Sequence, residues 1–187
     1  TSVDHAWLPK ASIAAFVEHA RAIMPARYPR LDTPDYTSII DQPAFERLLQ
    51  ALDEARGRGA EVISLLPGPA YDRATRKIAP HIVLGAPEDS LLLTREIFGP
   101  ILPLRAYTDL DRVIASINAG PRPLAIYPFS NDARTVQRLI DRVMSGGVSV
   151  NDALFHVGQH DLPFGGVGES GMGHYHGAEG FHTFSKL

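Results

Sequence analysis

The chain has 187 residues, of which 44% are hydrophobic and 21% charged, and its formal net charge is -3 at pH 7. This composition is typical of soluble globular proteins and provides enough residues for a sizeable buried core. The charge balance predicts no nucleic-acid partner and no attachment to a membrane surface, and no apolar run approaches the roughly 20 residues that span a bilayer.

The sequence contains no cysteine, which excludes disulfides, thiolate metal sites and a cysteine nucleophile among these residues. The start of the chain, Thr1 to His5, has neither the basic residues nor the apolar core of a signal peptide. We therefore expect a cytoplasmic protein. Because the first residue is not methionine, we also expect a chain that has been processed, truncated or cut from a longer one.

Two amphipathic helices are predicted in the first sixty residues. The first begins after Ser12 and should end at Pro25. The second has Pro43 in its first turn and should be closed by Gly57 and Gly59. The side chains expected to be buried are Ile13, Phe16, Val17, Ala20 and Met24 in the first helix, and Phe45, Leu48, Leu49 and Leu52 in the second.

Strands and helices alternate in the remainder of the chain up to residue 150. Strands are predicted at 61–66, 81–84, 101–107, 124–127 and 148–150, with one helix capped by Thr108 and another capped by Asn131. The second of these helices should bury Val136, Leu139, Ile140 and Val143. This alternation predicts an α/β fold with a doubly wound, mainly parallel sheet, whose ligand crevice lies beyond the carboxyl ends of the strands.

A glycine-rich tail follows, and we predict that it is mostly loop. We divide the chain into an α/β domain, residues 1–155, and this tail, residues 156–187, packed on or beside it. Gly166, Gly168 and Gly171 have the spacing of a dinucleotide-binding loop, but Pro163 argues against a preceding central strand and no amphipathic helix is evident after them. We interpret them as a tight loop in which backbone passes close to backbone.

Five histidines lie in the tail, but no acidic residue follows them at the interval of a known metal site, so we predict no metal. Ser170 does not match the spacing or the setting of a hydrolase nucleophile. It is interpreted as a loop residue.

Several stretches resemble sequence signatures of the NAD(P)-dependent aldehyde dehydrogenases. Residues 96–100 resemble the EIFGP signature, and residues 162–166 with 170–173 resemble the PFGG and SGMG segment. Residues 74–80, 123–127 and 145–152 are similar to further family segments, which are ATRYIAP, PLALY and SGGV followed by ND. The similarity covers almost the whole chain, and the tail from His156 is most similar to the bacterial coniferyl aldehyde dehydrogenases.

The resemblance implies that the chemistry of the family is incomplete in this chain. Family members carry aspartate and tyrosine shortly after the nucleophilic cysteine, and Asp4 and His5 occupy those positions, so the cysteine is expected immediately before Thr1. The glutamate base, the oxyanion-hole asparagine and the amino-terminal Rossmann domain are also expected in a longer parent protein. No catalytic residue is therefore assigned here, and the chain alone is predicted to be inactive and to bind no cofactor tightly.

The resemblance nevertheless implies that two residues position the cofactor. By resemblance, Glu96 accepts hydrogen bonds from the nicotinamide-ribose hydroxyls of NAD or NADP, and Phe98 forms a wall against that ribose and ring. A solvated loop acid and a core aromatic are the structural alternatives for these two residues.

Four further residues are assigned to the pocket of the aldehyde substrate. They are Asn151, Phe155, His156 and Phe164. Asn151, Phe155 and His156 follow a predicted strand end, where a crevice is expected, and the aromatic side chains suit a phenylpropenal such as coniferaldehyde. Core packing is the alternative for both phenylalanines.

Three functions remain open at this stage. The leading prediction is the catalytic-domain part of an aldehyde dehydrogenase that acts on a hydrophobic or aromatic aldehyde. We expect this enzyme to be a homo-oligomer, with a dimer as its assembly. The alternatives are a non-catalytic α/β interaction or assembly module, and a small domain that binds phosphates through its glycine-rich tail.

Overall fold

The computed structural model describes residues 3–186. Thr1 and Ser2, next to which the cysteine is expected, and Leu187 lie outside the described residues. The described chain forms two compact units, Val3–Thr108 and residues 109–186. The predicted division after residue 155 falls inside the second unit and stays a prediction.

The first unit contains six strands and three helices. The strands are β1 (Ala6–Pro9), β2 (Glu61–Ser64), β3 (Tyr71–Asp72), β4 (Lys77–Ile78), β5 (His81–Leu84) and β6 (Ile101–Tyr107), and the helices are α1 (Ile13–Arg27), α2 (Gln42–Gly57) and α3 (Leu91–Thr94). The predicted strands at 81–84 and 101–107 are confirmed with these bounds. The β3–β4 hairpin was not predicted.

The sheet of this unit has the strand order β1-β6-β5-β2 and is mixed, mostly parallel. β1 and β5 each pair with β6 in parallel, whereas β2 pairs with β5 antiparallel, Glu61 opposite Leu84. The prediction of an α/β fold with a mainly parallel sheet is confirmed, and β2 is its one antiparallel strand among the described residues. The segment from β2 to β5 holds a short hairpin instead of a crossover helix, and parallel neighbours need such a crossover.

Helices cover both faces of the sheet. Ile82 and Leu104 belong to one buried cluster with Val17 of α1, whereas Val83 and Ile101 belong to another with Phe45 of α2. Successive strand residues point to opposite faces of the sheet. Each helix therefore packs against a different set of strand side chains. The predicted burial of Phe45, Leu48, Leu49 and Leu52 is confirmed.

The first helix does not end at Pro25, as expected, but continues to Arg27. Pro25 removes one backbone donor, but the two residues that follow it remain helical. The N–H of Tyr28 still donates to the carbonyl of Met24 at 2.8 Å.

The second unit contains α4 (Leu110–Ala119), β7 (Ala125–Ile126), α5 (Ala133–Arg142), β8 (Gly147–Val148) and α6 (Gly177–Phe184), with β7 and β8 parallel. The caps of α4 and α5 are Asp109 and Asp132, each one residue after the predicted cap. Their carboxylates accept the backbone N–H groups of Asp111 and Arg134, which is the usual capping contact of aspartate.

The apolar stripe of α5 is less buried than predicted. Val143, just past the helix, is buried, but Val136 and Leu139 are half-buried and Ile140 is exposed. A strongly amphipathic pattern therefore identified the helix correctly and overstated its burial within the unit.

The tail contains two 3-10 turns, Phe155–Gly158 and Gly168–Ser170, before the unpredicted helix α6. The tight-loop interpretation of its glycines is confirmed: a Cβ added to Gly166 would lie 2.2 Å from the carbonyl oxygen of Ser170, and Gly168 has a φ of +64°. None of the helices among residues 3–186 combines the length and apolarity that crossing a membrane requires.

Candidate functional site

The candidate cofactor loop joins α3 to β6 and spans residues 95–100. Arg95 is extended, with φ -131° and ψ 141°. Ile97 is only 3% exposed and belongs to the cluster that contains Phe45 and Leu48. The centre of the loop is thus anchored in the core under α2.

Gly99 allows the loop to lie directly on α2. A Cβ added to Gly99 would be 2.5 Å from Cδ1 of Leu48, closer than carbon atoms can approach. Pro100 then accepts the N–H of His81 at 2.8 Å and leads into β6. Gly99 of the motif therefore has a packing reason in addition to its place in the family signature.

Two distant side chains hold the loop backbone by hydrogen bonds. Arg47 of α2 donates from Nη1 to the carbonyl of Glu96 at 3.2 Å and from Nη2 to that of Ile97 at 2.7 Å. Asp4 accepts the N–H of Ile97 through Oδ1 at 2.8 Å. Hydrogen bonds to charged groups are the stronger ones, about 1.5–3 kcal/mol each, so two separate segments of the chain hold the loop backbone.

The anchored backbone leaves the two predicted cofactor residues facing solvent. Glu96 is exposed, and the Phe98 side chain is 63% exposed on a backbone with a φ of +46°. A left-handed conformation at a residue other than glycine costs about 1–3 kcal/mol and persists only where its surroundings impose it. An exposed carboxylate and an exposed ring, one residue apart on a rigid loop, can accept two hydroxyl donors and present a flat apolar surface.

Arg47 and Asp4 were not among the predicted site residues. Arg47 falls on the α2 surface, where a charged residue is ordinarily solvated, and no local spacing links it to a loop about fifty residues away. Asp4 was noted only for its place in a family segment. Their contacts with the loop arise from tertiary structure.

His5 and Trp7 follow Asp4 on the way into β1. The His5 and Trp7 rings are 6.5 Å apart, and the guanidinium carbon of Arg105 lies 3.9 Å from the centre of the Trp7 ring. Burial, and secondarily the charge of Arg105, lower the pKa of His5 below its usual 6.5. Burial therefore favours the neutral form of the imidazole at the position where the resemblance expects tyrosine.

In the second unit, Asn151 joins two loops. Its Oδ1 accepts the N–H of Ser130 at 2.8 Å, and its Nδ2 donates to the carbonyl of Ser130 at 3.1 Å. Its backbone has a φ of +55°, a conformation that asparagine tolerates better than most residues. These contacts explain an asparagine three residues after β8. A contact with substrate would have to use the remaining donor and lone pairs of the amide.

His156 is packed among rings. Its centroid lies 5.8 Å from those of Tyr127 and Phe164, and Oγ of Ser149 lies 3.2 Å from Nδ1 and from the backbone nitrogen of His156. Burial lowers the pKa of this imidazole. The buried Nε2 has no hydrogen-bond partner within the described chain.

The structure brings His156 and Phe164 together but leaves Phe155 65% exposed in its 3-10 turn. Phe164 exchanges two backbone hydrogen bonds with Tyr175, at 2.8 and 2.9 Å, and its ring stacks on His176 at 5.9 Å. Phe164 is thus the centre of an aromatic cluster, as the packing alternative expects. Its place in the substrate pocket stays a prediction.

Among residues 3–186, no three His, Asp or Glu side chains are arranged to hold a metal ion. The His160 and His176 rings approach to 5.8 Å edge to face. These two histidines therefore contact each other through their rings within the tail.

A sequence model described as the aldehyde dehydrogenase family matches residues 5–187. The coniferyl aldehyde dehydrogenase of Pseudomonas sp. strain HR199 is 45% identical over 185 residues, and a probable coniferyl aldehyde dehydrogenase of Caulobacter vibrioides is 41% identical over 185 residues. Each alignment covers 97% of this chain and 38% of the relative.

A solved structure shows the same fold at higher coverage. The substrate-bound AldH of Staphylococcus aureus superposes with a TM-score of 0.89 at 36% identity, over 98% of this chain and 40% of that chain. The chain therefore spans about two fifths of the proteins to which it is similar.

Proposed function

Because the chain belongs to the aldehyde dehydrogenase family, we propose that it is the catalytic-domain part of an NAD(P)-dependent enzyme that oxidises a hydrophobic or aromatic aldehyde to the acid. The observation that carries this proposal is the anchored loop that presents Glu96 and Phe98 to solvent. The sequence contains no cysteine, so the thiolate that attacks the aldehyde would be supplied by a longer parent protein.

The residues present fit the nicotinamide-ribose end of the cofactor. Glu96 is an exposed acceptor suited to the two ribose hydroxyls, and the exposed Phe98 ring is an apolar wall. In the family, the bound cofactor accepts hydride from the substrate. Most of its contacts are expected in a separate nucleotide-binding domain, so we propose no tight binding of NAD or NADP to the 187 residues alone.

The contribution of this chain to the reaction is positioning. Arg47 and Asp4 fix the loop backbone, and the rigid loop orients the Glu96 carboxylate and the Phe98 ring. Positioning of a reacting group within a fraction of an ångström has large effects on rate. Asp4 also joins the loop to the segment that follows the expected nucleophile, so one hydrogen bond connects the two halves of the site.

We assign the aldehyde pocket to Asn151, Phe155, His156 and Phe164, and coniferaldehyde-like substrates to the parent enzyme. Two relatives more than 40% identical are described as coniferyl aldehyde dehydrogenases or probable ones, and the rings of His156 and Phe164 suit an aromatic substrate. Homo-oligomeric assembly, as a dimer, and a cytoplasmic location are further parts of the proposal.

The test is aldehyde-dependent formation of NADH or NADPH by the protein encoded by the extended reading frame, with coniferaldehyde compared with a short aliphatic aldehyde. Glu96→Gln should raise the KM for cofactor, whereas Glu61→Gln removes another exposed carboxylate and serves as the matched control. An extended chain without a cysteine before Thr1, or without cofactor-dependent oxidation, would instead support the non-catalytic α/β interaction module.

A further inference from the structure

The parallel ladder of β7 and β8 continues past the ends of both strands. The N–H of Ser149 donates to the carbonyl of Ile126 at 3.2 Å, and the N–H of Asn151 donates to the carbonyl of Pro128 at 2.8 Å. These bonds have the even spacing of a parallel pair, so the backbone stays extended as far as Pro128. The ladder ends at Asn151, where a φ of +55° turns the chain.

One face of this ladder carries the aromatic cluster around His156. Tyr127 and Ser149 are opposite each other in the continued register. Both contact His156: the Tyr127 ring centroid lies 5.8 Å from that of the imidazole, and Oγ of Ser149 lies 3.2 Å from Nδ1. Residues two apart in an extended chain share a face. Phe129 therefore follows Tyr127 on the side that carries His156, about 6.5 Å further along the chain.

Phe129 is fixed beside Asn151 and presents most of its side chain to solvent. The next residue, Ser130, exchanges two hydrogen bonds with the Asn151 amide, and Phe129 is 67% exposed. Leu154 and Phe155, which follow β8, are also exposed. The carboxyl ends of these two strands thus present three large apolar side chains to solvent, and apolar side chains grouped at one place mark sites of ligand or partner binding.

The loop after β8 has a strained backbone that the same face of the ladder holds. Leu154 has a φ of +69°, a conformation that leucine keeps only where its surroundings impose it. The Tyr127 hydroxyl is hydrogen-bonded to the backbone of Leu154. Strain of this kind is concentrated at sites that bind ligands. Tyr127 therefore fixes the loop that carries Leu154 and lies next to Phe129 on the neighbouring strand.

We propose that Phe129 is a specificity-determining residue, which packs with Leu154 against the apolar body of the aldehyde. This inference rests on the proposed function, which assigns His156 and Phe164 to the same pocket. An aldehyde with a ring is large enough to contact both that pair and Phe129, whereas an aldehyde of three carbons is not. The Phe129 ring therefore favours aromatic aldehydes over short aliphatic ones through packing.

The kinetic test uses the protein encoded by the extended reading frame, with coniferaldehyde compared with propanal. Phe129→Ala should lower kcat/KM for coniferaldehyde about tenfold, the loss expected for one apolar wall, and leave kcat/KM for propanal unchanged. Phe129→Tyr keeps the ring and should retain the preference for coniferaldehyde. Phe181→Ala removes an aromatic side chain of the same unit with similar exposure, 69%, and should change neither substrate. A purely structural role of Phe129 would slow both aldehydes alike.

A binding measurement on the 187-residue chain separates this inference from the proposed function. Coniferyl alcohol, which lacks the reactive carbonyl, should saturably shift the NMR signals of the Ser130 and Asn151 backbone amides. Phe129→Ala should weaken this binding about tenfold, and Phe181→Ala should not.

The inference is overturned if Phe129→Ala slows both aldehydes equally, or if the amide shifts are absent or persist unchanged in that variant. An extended protein that oxidises no aldehyde, while its 187-residue part still binds coniferyl alcohol through Phe129, would refute the proposed function alone.

Discussion

Oδ1 of Asp4 lies 2.8 Å from the backbone nitrogen of Ile97, across 93 residues of sequence. The acceptor is half-buried, and the donor belongs to the buried centre of the cofactor loop. This bond connects the start of the described chain to the loop that carries Glu96 and Phe98.

Asp4→Ala should lower the free energy of unfolding by about 1–2 kcal/mol, because the N–H of Ile97 loses its acceptor in a site with little access to water. Asp4→Asn keeps an acceptor oxygen and should recover part of the loss. Urea unfolding measures both, with Asp35→Ala as an exposed control. Equal stabilities of the Ala and Asn variants would contradict the hydrogen-bond role.

Phe98→Gly should leave the chain equally stable or stabilise it by up to about 1 kcal/mol. Glycine relieves the strain of the left-handed backbone at this position. This gain offsets the greater conformational entropy that glycine has in the unfolded chain. Little packing is lost, because the Phe98 ring is mostly exposed. Phe129 is 67% exposed without a positive φ, so Phe129→Gly should destabilise. In the extended protein, Phe98→Gly should nevertheless weaken cofactor binding, measured as a higher KM.

Gly147→Ala should destabilise by about 1–3 kcal/mol through steric overlap. An added Cβ would lie 2.6 Å from Cδ2 of His156, and the ring cannot move freely because Tyr127 and Phe164 flank it. Gly158→Ala meets no atom within 4 Å and is the matched control. Thermal unfolding that ranks the two variants the other way would show that His156 is loosely held.

Acidification should destabilise the chain in a first stage that begins near pH 6.5. Burial lowers the pKa of His5, His81 and His156 in the folded protein, so the unfolded chain binds more protons there and stability falls as the pH drops through the unfolded value of about 6.5. His81→Gln, at the most buried of these sites, should remove more of this slope than His19→Gln, at an exposed one. A slope that both variants preserve would contradict the assignment.

A second stage is expected at lower pH. Hydrogen bonds to Arg58, Arg138 and Thr75 respectively lower the pKa values of Asp89, Asp111 and Asp72 below 3.8. These carboxylates contribute stability above about pH 4, and this contribution is lost as the pH falls through their folded values. Denaturation curves recorded from pH 7 to pH 2 separate the two stages.

Self-association of the chain is expected from its exposed aromatic side chains. Phe181 and Phe184 of α6 are largely exposed and three residues apart, which places them on one side of the helix, and contiguous apolar surface promotes association. Replacing both by serine should shift sedimentation towards the monomer. A wild-type chain that stays monomeric at high concentration would contradict this expectation.

Local sequence patterns predicted much of the secondary structure. The apolar residues of α2 and the strand at 101–107 follow from periodicity, because a buried face repeats at the spacing of its element. The strand at 81–84 follows from a short apolar run, which is typical of a fully buried strand. The caps of α4 and α5 were displaced by one residue, since Thr108 and Asp109, or Asn131 and Asp132, are adjacent residues of similar capping preference. Sequence logic also missed the antiparallel β2, whose direction depends on how the chain returns to the sheet.

The sequence by itself determined the family resemblance, the absence of cysteine, and the choice of Glu96 and Phe98, because these are properties of residue identity and short spacing. Only tertiary structure decided what holds those two residues in place. Arg47 lies about fifty residues before the loop and Asp4 more than ninety, and the loop is anchored by hydrogen bonds from both. Such contacts follow from how elements pack, since no local pattern states which distant donor or acceptor a buried backbone group will meet.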